Sequence, residues 1–574
     1  MIGILKFSGQ TQDGIALRSP RSPSRNLRAR FEGWGGTFLV VLVASAGFLG
    51  LGLHEAWVDA PTFDEPVYVA SGLAAVLHQD LDLNDEHPPL AKVLAVLPVL
   101  FVHPFVPADG HWDHNDERTY SAAFVDAQVH AGTLRSVTFA ARVVPLLEAV
   151  GLALVLYRLG RDLFGRAAGT TAALLWLLSP WVLGLGHLDS VDVSFALAVA
   201  LWSWMLLRWF VRPDWGRTLA LGALSAVVVT CDVPGLLLAG LGALCVLVAA
   251  SRRSWRAGVA QGAAVLGTAW VLTWLLYVCL DPRVLLDPTV ILPAPYLHGI
   301  NYLATNDTVA GPGYLLGTSW VGGRWWYWPA GLLVKMVPTT LLVLIVGPLG
   351  WRFVDPLTRR RAGAVLALPG LGLLAVTVAT PRDIGVRYLL PVVALWLVAA
   401  SALVPWLLGH AGGRAAVAVA IGLAAAAAAS SAPASLAWVS PPLGPGYQVA
   451  SNSDIDWGQG FFALQAWSAG RHPWVAYFGP RGLGVRNVRG ARRLLGVPPG
   501  RVTGWVAVSA TDLTTAERSR LLWLRAYCPV GDLGGSILLY RFVRPPSAAP
   551  GPSRPAALCP ATDRGVSARV GARS

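Results

Sequence analysis

The sequence predicts a polytopic α-helical membrane protein of about eleven transmembrane helices with a small C-terminal α/β domain on its outer face. Three observations carry that expectation. The 574 residues are 54% hydrophobic and 13% charged, with a mean hydropathy of +0.53, too apolar for a water-soluble fold of this size. Apolar runs near the length that crosses a bilayer recur along the chain. Between them, arginines fall in short clusters that land on one side if every run crosses, as cytoplasmic loops require. The formal net charge of +13 is therefore a matter of topology and membrane-surface contact, and no nucleic-acid partner is expected.

Residues 1–36 are polar and Arg-rich, without the apolar core or small-residue cleavage site of a signal peptide, and read as a disordered basic cytoplasmic arm. Helical runs follow near 37–53, 138–157, 167–187, 191–211, 217–231, 234–250, 258–280, 326–350, 362–380, 388–409 and 414–433. The pair at 217–231 and 234–250 is short enough to be re-entrant instead. Arginines 158, 161 and 166, 252, 253 and 256, and 359 to 361 then face the cytoplasm in the cell membrane. The long segments at 54–137, at 281–325 and after 434 face outward and are the places for chemistry. Within 434–543, "WVAYFG", "GWVAVSA" and "GSILLYRF" are strand-like, while "FFALQAWSAG" and "TTAERSRLLWLRAY" are helix-like. From 544 onward the Pro, Ala, Ser and Arg content cannot bury a core, so the tail reads as disordered. The five cysteines show no metal spacing and indicate no disulfide framework.

The outer loop 54–137, the expected catalytic loop of a 37–433 transmembrane domain, opens with "FDEPVY". Pro66 suits the first turn of a helix, placing Asp64 and Glu65 at its positive end, where a carboxylate stays ionised and can take a proton from a hydroxyl. Taken alone, the pair is more simply read as a solvated helix cap that does no chemistry. "NDEHPPLAK" delivers Glu86 and His87 to the lip of the bundle, either as contacts for a lipid-linked phosphate or as a turn. "GHLDSVDV" puts Asp189 and Asp192 where one run ends outside and the next begins; a carboxylate there should face a polar cavity, not lipid. "GRWWYWPAGLLVK" contributes Arg324 and Lys335, one of three lysines in the chain, for which snorkelling to an interface is the plain reading. "IGVRYLLP" contributes Arg387, of the type that holds phosphate by paired hydrogen bonds. "HWDHNDER" (His111 to Arg118) carries metal-type residues without a fixed ligand spacing.

In order along 37–543, "FDEPVYVASG", "DEHPPLAK", "GHLDSVDV", "GGRWWYWPAGLLVKMVP", "IGVRYLLPVV", "SNSDIDWGQG" and "GGSILLY" resemble the C-type integral membrane glycosyltransferases that use lipid-phosphate sugar donors. The nearest branches are the protein O-mannosyltransferase-like and lipid A aminoarabinose transferase-like enzymes. The resemblance implies a polyprenyl-phosphate sugar donor, a protein or glycan or glycolipid hydroxyl acceptor, and inversion at the anomeric carbon, all at the outer face of the membrane. It implies Asp64 as general base, Glu65 orienting the acceptor or the base, Asp192 as the later acid, and Glu86 and His87 beside the donor, with Arg324 and Arg387 as phosphate candidates. No cofactor is required by the sequence, no metal ligands are assigned, and a need for a divalent metal stays open. Two departures stand out. "TCDVPGLLL" has Cys231 and Asp232 where the family often carries a lysine, and Asn452 and Gly460 replace acids of the bacterial "DSNLDWGQDL" pattern. A lipid-sugar flippase or transporter without transferase activity is the alternative, although inverted repeats and mid-membrane charge would then be expected.

Overall fold

The computed structural model describes residues 25–107, 117–287, 289–306, 310–514 and 516–546, with side chains from 38 onward except at 306 and 516–520. The predicted metal-type residues His111 to Asp116, arm residues 1–24 and tail residues 547–574 lie outside that set. The chain is mostly helical. Seven helices are long and apolar enough to cross a membrane: Phe38–Val58, Leu134–Phe164, Val191–Val211, Trp255–Leu280, Pro356–Ala379, Val386–Leu408 and Ala411–Ser431. Arg166–Leu177 and Pro180–Gly186, bent by 63° at the Ser179–Pro180 break, make an eighth if they count as one span. It is a multi-pass membrane protein.

All eleven apolar runs are helical, but they do not all reach bilayer length. Trp215–Cys231 and Gly235–Ser251 have 17 residues each, about 26 Å at 1.5 Å per residue, slightly short of a hydrocarbon core of about 30 Å. The run expected at 326–350 breaks at Met336 and Val337 ahead of Pro338. The first helix begins at Arg25, so residues 25–36 of the expected disordered arm are helical.

In chain order the elements that build the site are α1 (Arg25–Val58), α2 (Glu65–Leu77), α3 (Pro89–Val96), α4 (Glu117–Ala131), α5 (Leu134–Phe164), α6 (Arg166–Leu177), α7 (Pro180–Gly186), α8 (Val191–Val211), α9 (Trp215–Cys231), α10 (Gly235–Ser251), α11 (Trp255–Leu280) and α12 (Ala294–Asn306). A hairpin that the sequence did not signal, β1 (Pro312–Leu315) with β2 (Thr318–Val321), comes next. The C-terminal sheet has β3 (Trp474–Ala476), β4 (Arg492–Arg493), β5 (Gly504–Ser509), β6 (Gly531–Leu533) and β7 (Ile537–Phe542) in the order β4-β3-β5-β7-β6. It is parallel across β3–β4 and β3–β5 and antiparallel across β5–β7 and β6–β7. The helix-like "TTAERSRLLWLRAY" is 3-10 helix over Ala516–Ala526 instead of α-helix.

Small residues let the helices close on one another. A Cβ on Gly169 would collide with the Tyr157 carbonyl oxygen, so α5 and α6 touch backbone to backbone there. One apolar cluster runs from Val41, Leu152, Trp176 and Trp202 in the bundle through Leu390 and Val393 to Val506, Val508 and Tyr540 of the sheet. The sheet therefore shares its core with the helices. A second cluster seats Ala60, in the loop before α2, against Phe461, Leu464 and Leu539. Cys528 is disulfide-bonded, which the cysteine spacing did not indicate.

Candidate active site

Asp64 is the N-cap residue of α2, with Pro66 in its first turn, but its side chain makes no capping hydrogen bond. The carboxylate instead turns to Arg387, whose Nη2 lies 3.2 Å from Oδ2 of Asp64 and whose Nη1 lies 3.3 Å from Oδ2 of Asp192. Arg387 and Asp192 are buried, while the Asp64 side chain keeps 23% exposure. The guanidinium stacks over the Trp457 ring at 4.4 Å, and Nη2 also donates to the Tyr388 hydroxyl at 3.1 Å. Its Nε–H is buried without a hydrogen-bond partner among the described residues. Three sequence-predicted residues thus meet in one charge cluster, held by side chains that sequence reasoning passed over.

Glu65 faces the other way. Its carboxylate forms a two-point pair with Arg142, 2.7 Å on each oxygen, and accepts from the backbone N–H groups of Thr62 and Asp189 at 2.7 and 2.8 Å. Arg142 also donates to the carbonyls of Ala56, Asp59 and Ala60. Burial alone would raise the Glu65 pKa; the Arg142 charge and these hydrogen bonds outweigh it and hold the carboxyl below the ordinary glutamate range. Sealed in this way, Glu65 cannot touch an acceptor. Of the two roles expected for it, orienting the base is the one its geometry allows.

"NDEHPPLAK" folds into a compact turn ahead of α3. Lys92 is buried and donates to the Asn84 carbonyl and side-chain oxygens at 2.7 and 2.9 Å, and Asn84 in turn bonds Glu117. Burial pushes Lys92 down to about 8 and Glu117 up to about 7. Burial also raises the Glu86 carboxyl, against the pull of the Arg118, Arg382, Arg387 and Lys92 charges. His87 sits with Nε2 3.4 Å from the Tyr68 hydroxyl, and burial followed by the Lys92 and Arg387 charges lowers its pKa to about 4. It is neutral at neutral pH. Arg324 stands apart from the cluster: its side chain is exposed, and its backbone N–H donates to Asp383 at 2.8 Å.

The motif "SNSDIDWGQG" proves to be scaffolding. Asp454 accepts from the Val386 N–H at 3.1 Å and the Tyr327 hydroxyl at 2.9 Å. The Trp457 carbonyl takes the Phe63 N–H at 2.8 Å, and the Gln459 carbonyl takes the Ala60 N–H at 2.9 Å. The motif therefore holds the residues just before both Asp64 and Arg387, while its Trp457 ring supports the guanidinium. Gly385, at φ +147°, lets the chain turn into Arg387, and a side chain there would strike the Ser453 hydroxyl. Lys335 does not snorkel: it is buried and donates to the carbonyls of Leu436, Trp438 and Asp454 at 2.8, 2.6 and 2.6 Å. Among the described residues, Asp80, Asp82 and Asp281 come close enough to share an ion, but Arg283 already stands among all three.

A family model described as dolichyl-phosphate-mannose-protein mannosyltransferase matches residues 132–277, about a quarter of the chain. That stretch includes Arg142, Asp189, Asp192 and Asp232 and excludes Asp64 and Arg387. Among solved structures the chain is similar to ArnT from Cupriavidus metallidurans bound to undecaprenyl phosphate, at 13% identity over 88% of this chain and 98% of that one, with a TM-score of 0.40. It is also similar to the archaeal oligosaccharyltransferase AglB from Archaeoglobus fulgidus in complex with an inhibitory peptide and a dolichol-phosphate, at 10% identity over 89% and 74% of the two chains, with a TM-score of 0.44. No curated protein matches the chain.

Proposed function

We propose that the protein is an inverting glycosyltransferase that moves a sugar from a polyprenyl-phosphate carrier to a hydroxyl acceptor at the outer face of the cytoplasmic membrane. The observation that carries this reading is the Asp64–Arg387–Asp192 cluster, in which an uncapped, part-exposed carboxylate is held by a buried arginine. The match of 132–277 to a mannosyltransferase family model supports the same reaction class.

In the proposed reaction the acceptor hydroxyl attacks the anomeric carbon while Asp64 takes its proton. The bond from that carbon to the phosphate oxygen breaks, and its electron pair leaves with the polyprenyl phosphate. A single displacement of this kind inverts the centre. Arg387 holds and orients Asp64 and Asp192, with an Nε–H that meets no acceptor among the described residues left for the donor. The leaving phosphate needs positive charge more than a general acid. The Arg118, Arg382 and Arg387 charges that face Glu86 supply it, and a protonated Glu86 would donate to a phosphate oxygen where an ionised one would repel it. Neutral His87 has an Nδ1 to offer that meets no partner among the described residues. Arg324 loses ground as a phosphate ligand because it is exposed and outside the cluster. The arginine clusters favour a cytoplasmic N-terminus, and the disulfide at Cys528 fits an oxidising, extracytoplasmic side for the C-terminal sheet.

The test is release of free polyprenyl phosphate from a panel of polyprenyl-phosphate sugars by purified protein in lipid, beside Asp64→Asn. Release that falls by about a thousandfold or more in the variant, as loss of a general base predicts, supports the reading. Equal release from both proteins would overturn it.

A further inference from the structure

Helix α11 ends at Leu280 in a charged and paired turn. Arg283 meets Asp281 at 2.8 Å, Asp80 at 3.2 Å and Asp82 at 3.7 Å, with its side chain 55% exposed. That cluster marks the water-facing end of α11. The chain then turns back: the indole Nε1 of Trp270 donates to the carbonyls of Val290 and Ile291 at 3.3 and 2.9 Å. By its number, Trp270 lies about 15 Å back along the helix from Leu280, and helical side chains lean further toward the N-terminus. The 26 residues of α11 are about 39 Å long against a hydrocarbon core of about 30 Å. Even if the whole surplus projected beyond the membrane at Leu280, Trp270 would still lie about 6 Å inside the hydrocarbon.

The exposed faces agree with that depth. Leu266, Trp270, Val271 and Leu275 form the open side of α11, whose apolar window is only 22% buried. Val290 and Ile291, at 74% and 76% exposure, continue that side. Leu292 anchors them from behind, in a cluster with Trp274 and Val278. Irregular backbone at membrane depth needs its carbonyls satisfied, and the Trp270 indole does this for both. The Tyr296 hydroxyl, 3.2 Å from the Val229 carbonyl near the end of α9, brings the chain back outward.

We propose that Val290 and Ile291 are the tip of a re-entrant strap inserted among the acyl chains of the bilayer and tethered by Trp270. The occupant is lipid hydrocarbon, because the strap extends an unbroken lipid-facing surface at a level that water does not reach. The inference is independent of the transfer reaction.

The experiment uses the full chain in phosphatidylcholine nanodiscs whose lipid carries a diazirine on its acyl chain, with a water-soluble diazirine in a parallel sample and adducts located by peptide mass spectrometry. Lipid adducts on Val290–Leu292 are expected at the level of the Leu266–Leu275 face and at least about tenfold above the exposed residues Arg471 and His472. Trp270→Phe should lower the strap's lipid adducts by about tenfold while α11 stays labelled, which shows that the span is intact. Labelling of Val290 and Ile291 from water alone would overturn the proposal. So would protection from both reagents, which would mean that protein covers the strap, and so would a strap unmoved by Trp270→Phe.

Discussion

Arg387 bears on two carboxylates at once, and its replacement separates charge from shape. Arg387→Met leaves Asp64 and Asp192 without their shared cation and should cost about 3–5 kcal/mol of stability, the usual penalty for breaking a buried pair. Arg387→Lys keeps the charge but cannot reach both acids in a plane, so it should melt closer to the native protein while losing about a hundredfold in sugar release. Melting temperature and release, read on both variants, check this together. His87 makes a prediction of its own in pH. Its folded pKa of about 4 lies below the ordinary histidine value of 6.5, so over that window the unfolded chain takes up a proton that the folded chain refuses. The folded state therefore loses stability as pH falls from 6.5 toward 4 and loses nothing on this account above it. His87→Gln, which binds no proton, should lose less stability between pH 7 and pH 4 than the native chain. Identical acid profiles would count against a buried neutral His87.

Between elements, the site depends on close approaches that local spacing does not reveal. A Cβ on Gly299 would collide with the Asp85 carbonyl oxygen, so α12 lies directly on the turn that presents Glu86 and His87. Gly299→Ala must push that turn away and should cost about 1–3 kcal/mol together with part of the sugar release. Gly169→Ala, at the α5–α6 contact far from the acids, should cost similar stability while leaving the release rate of the surviving folded protein near native. The paired measurement separates crowding at the site from crowding in the bundle. The short α9 and α10 and the broken 327–353 stretch are the elements that apolar length alone overstated. A run of leucine and valine registers greasiness, but the end of a helix is decided by Pro338 or by the Asp232–Pro234 turn.

For the whole molecule, Lys335 and the "DIDWGQ" segment tie the C-terminal sheet to the membrane bundle. The Lys335 ammonium satisfies carbonyls on both sides of the stretch from Leu436 to Asp454. Lys335→Met should leave those carbonyls short of a donor in a buried place, cost about 3 kcal/mol or more, and expose the 435–546 region to protease. Limited proteolysis in detergent would show this as early cleavage after Leu436. Unchanged resistance would mean that the shared apolar core alone holds the sheet.

The membrane class, the positions of all eleven apolar helical runs, the three long segments between and after them, and the candidacy of Asp64, Asp192 and Arg387 were all legible in the order of residues. Those follow from local quantities: apolar length, arginine bias, and an acid at the N-cap of a proline-started helix. Which side chains meet was legible only in the packed chain. Asp64, Asp192 and Arg387 lie on three segments far apart in sequence and converge only because the bundle and the "SNSDIDWGQG" loop close around them. Glu65 looks equivalent to Asp64 in the sequence and is sealed by Arg142 in the fold. His87 looks titratable and is held neutral. A charge's partner and its protonation depend on packing across the whole chain, and neighbours in sequence carry no record of it.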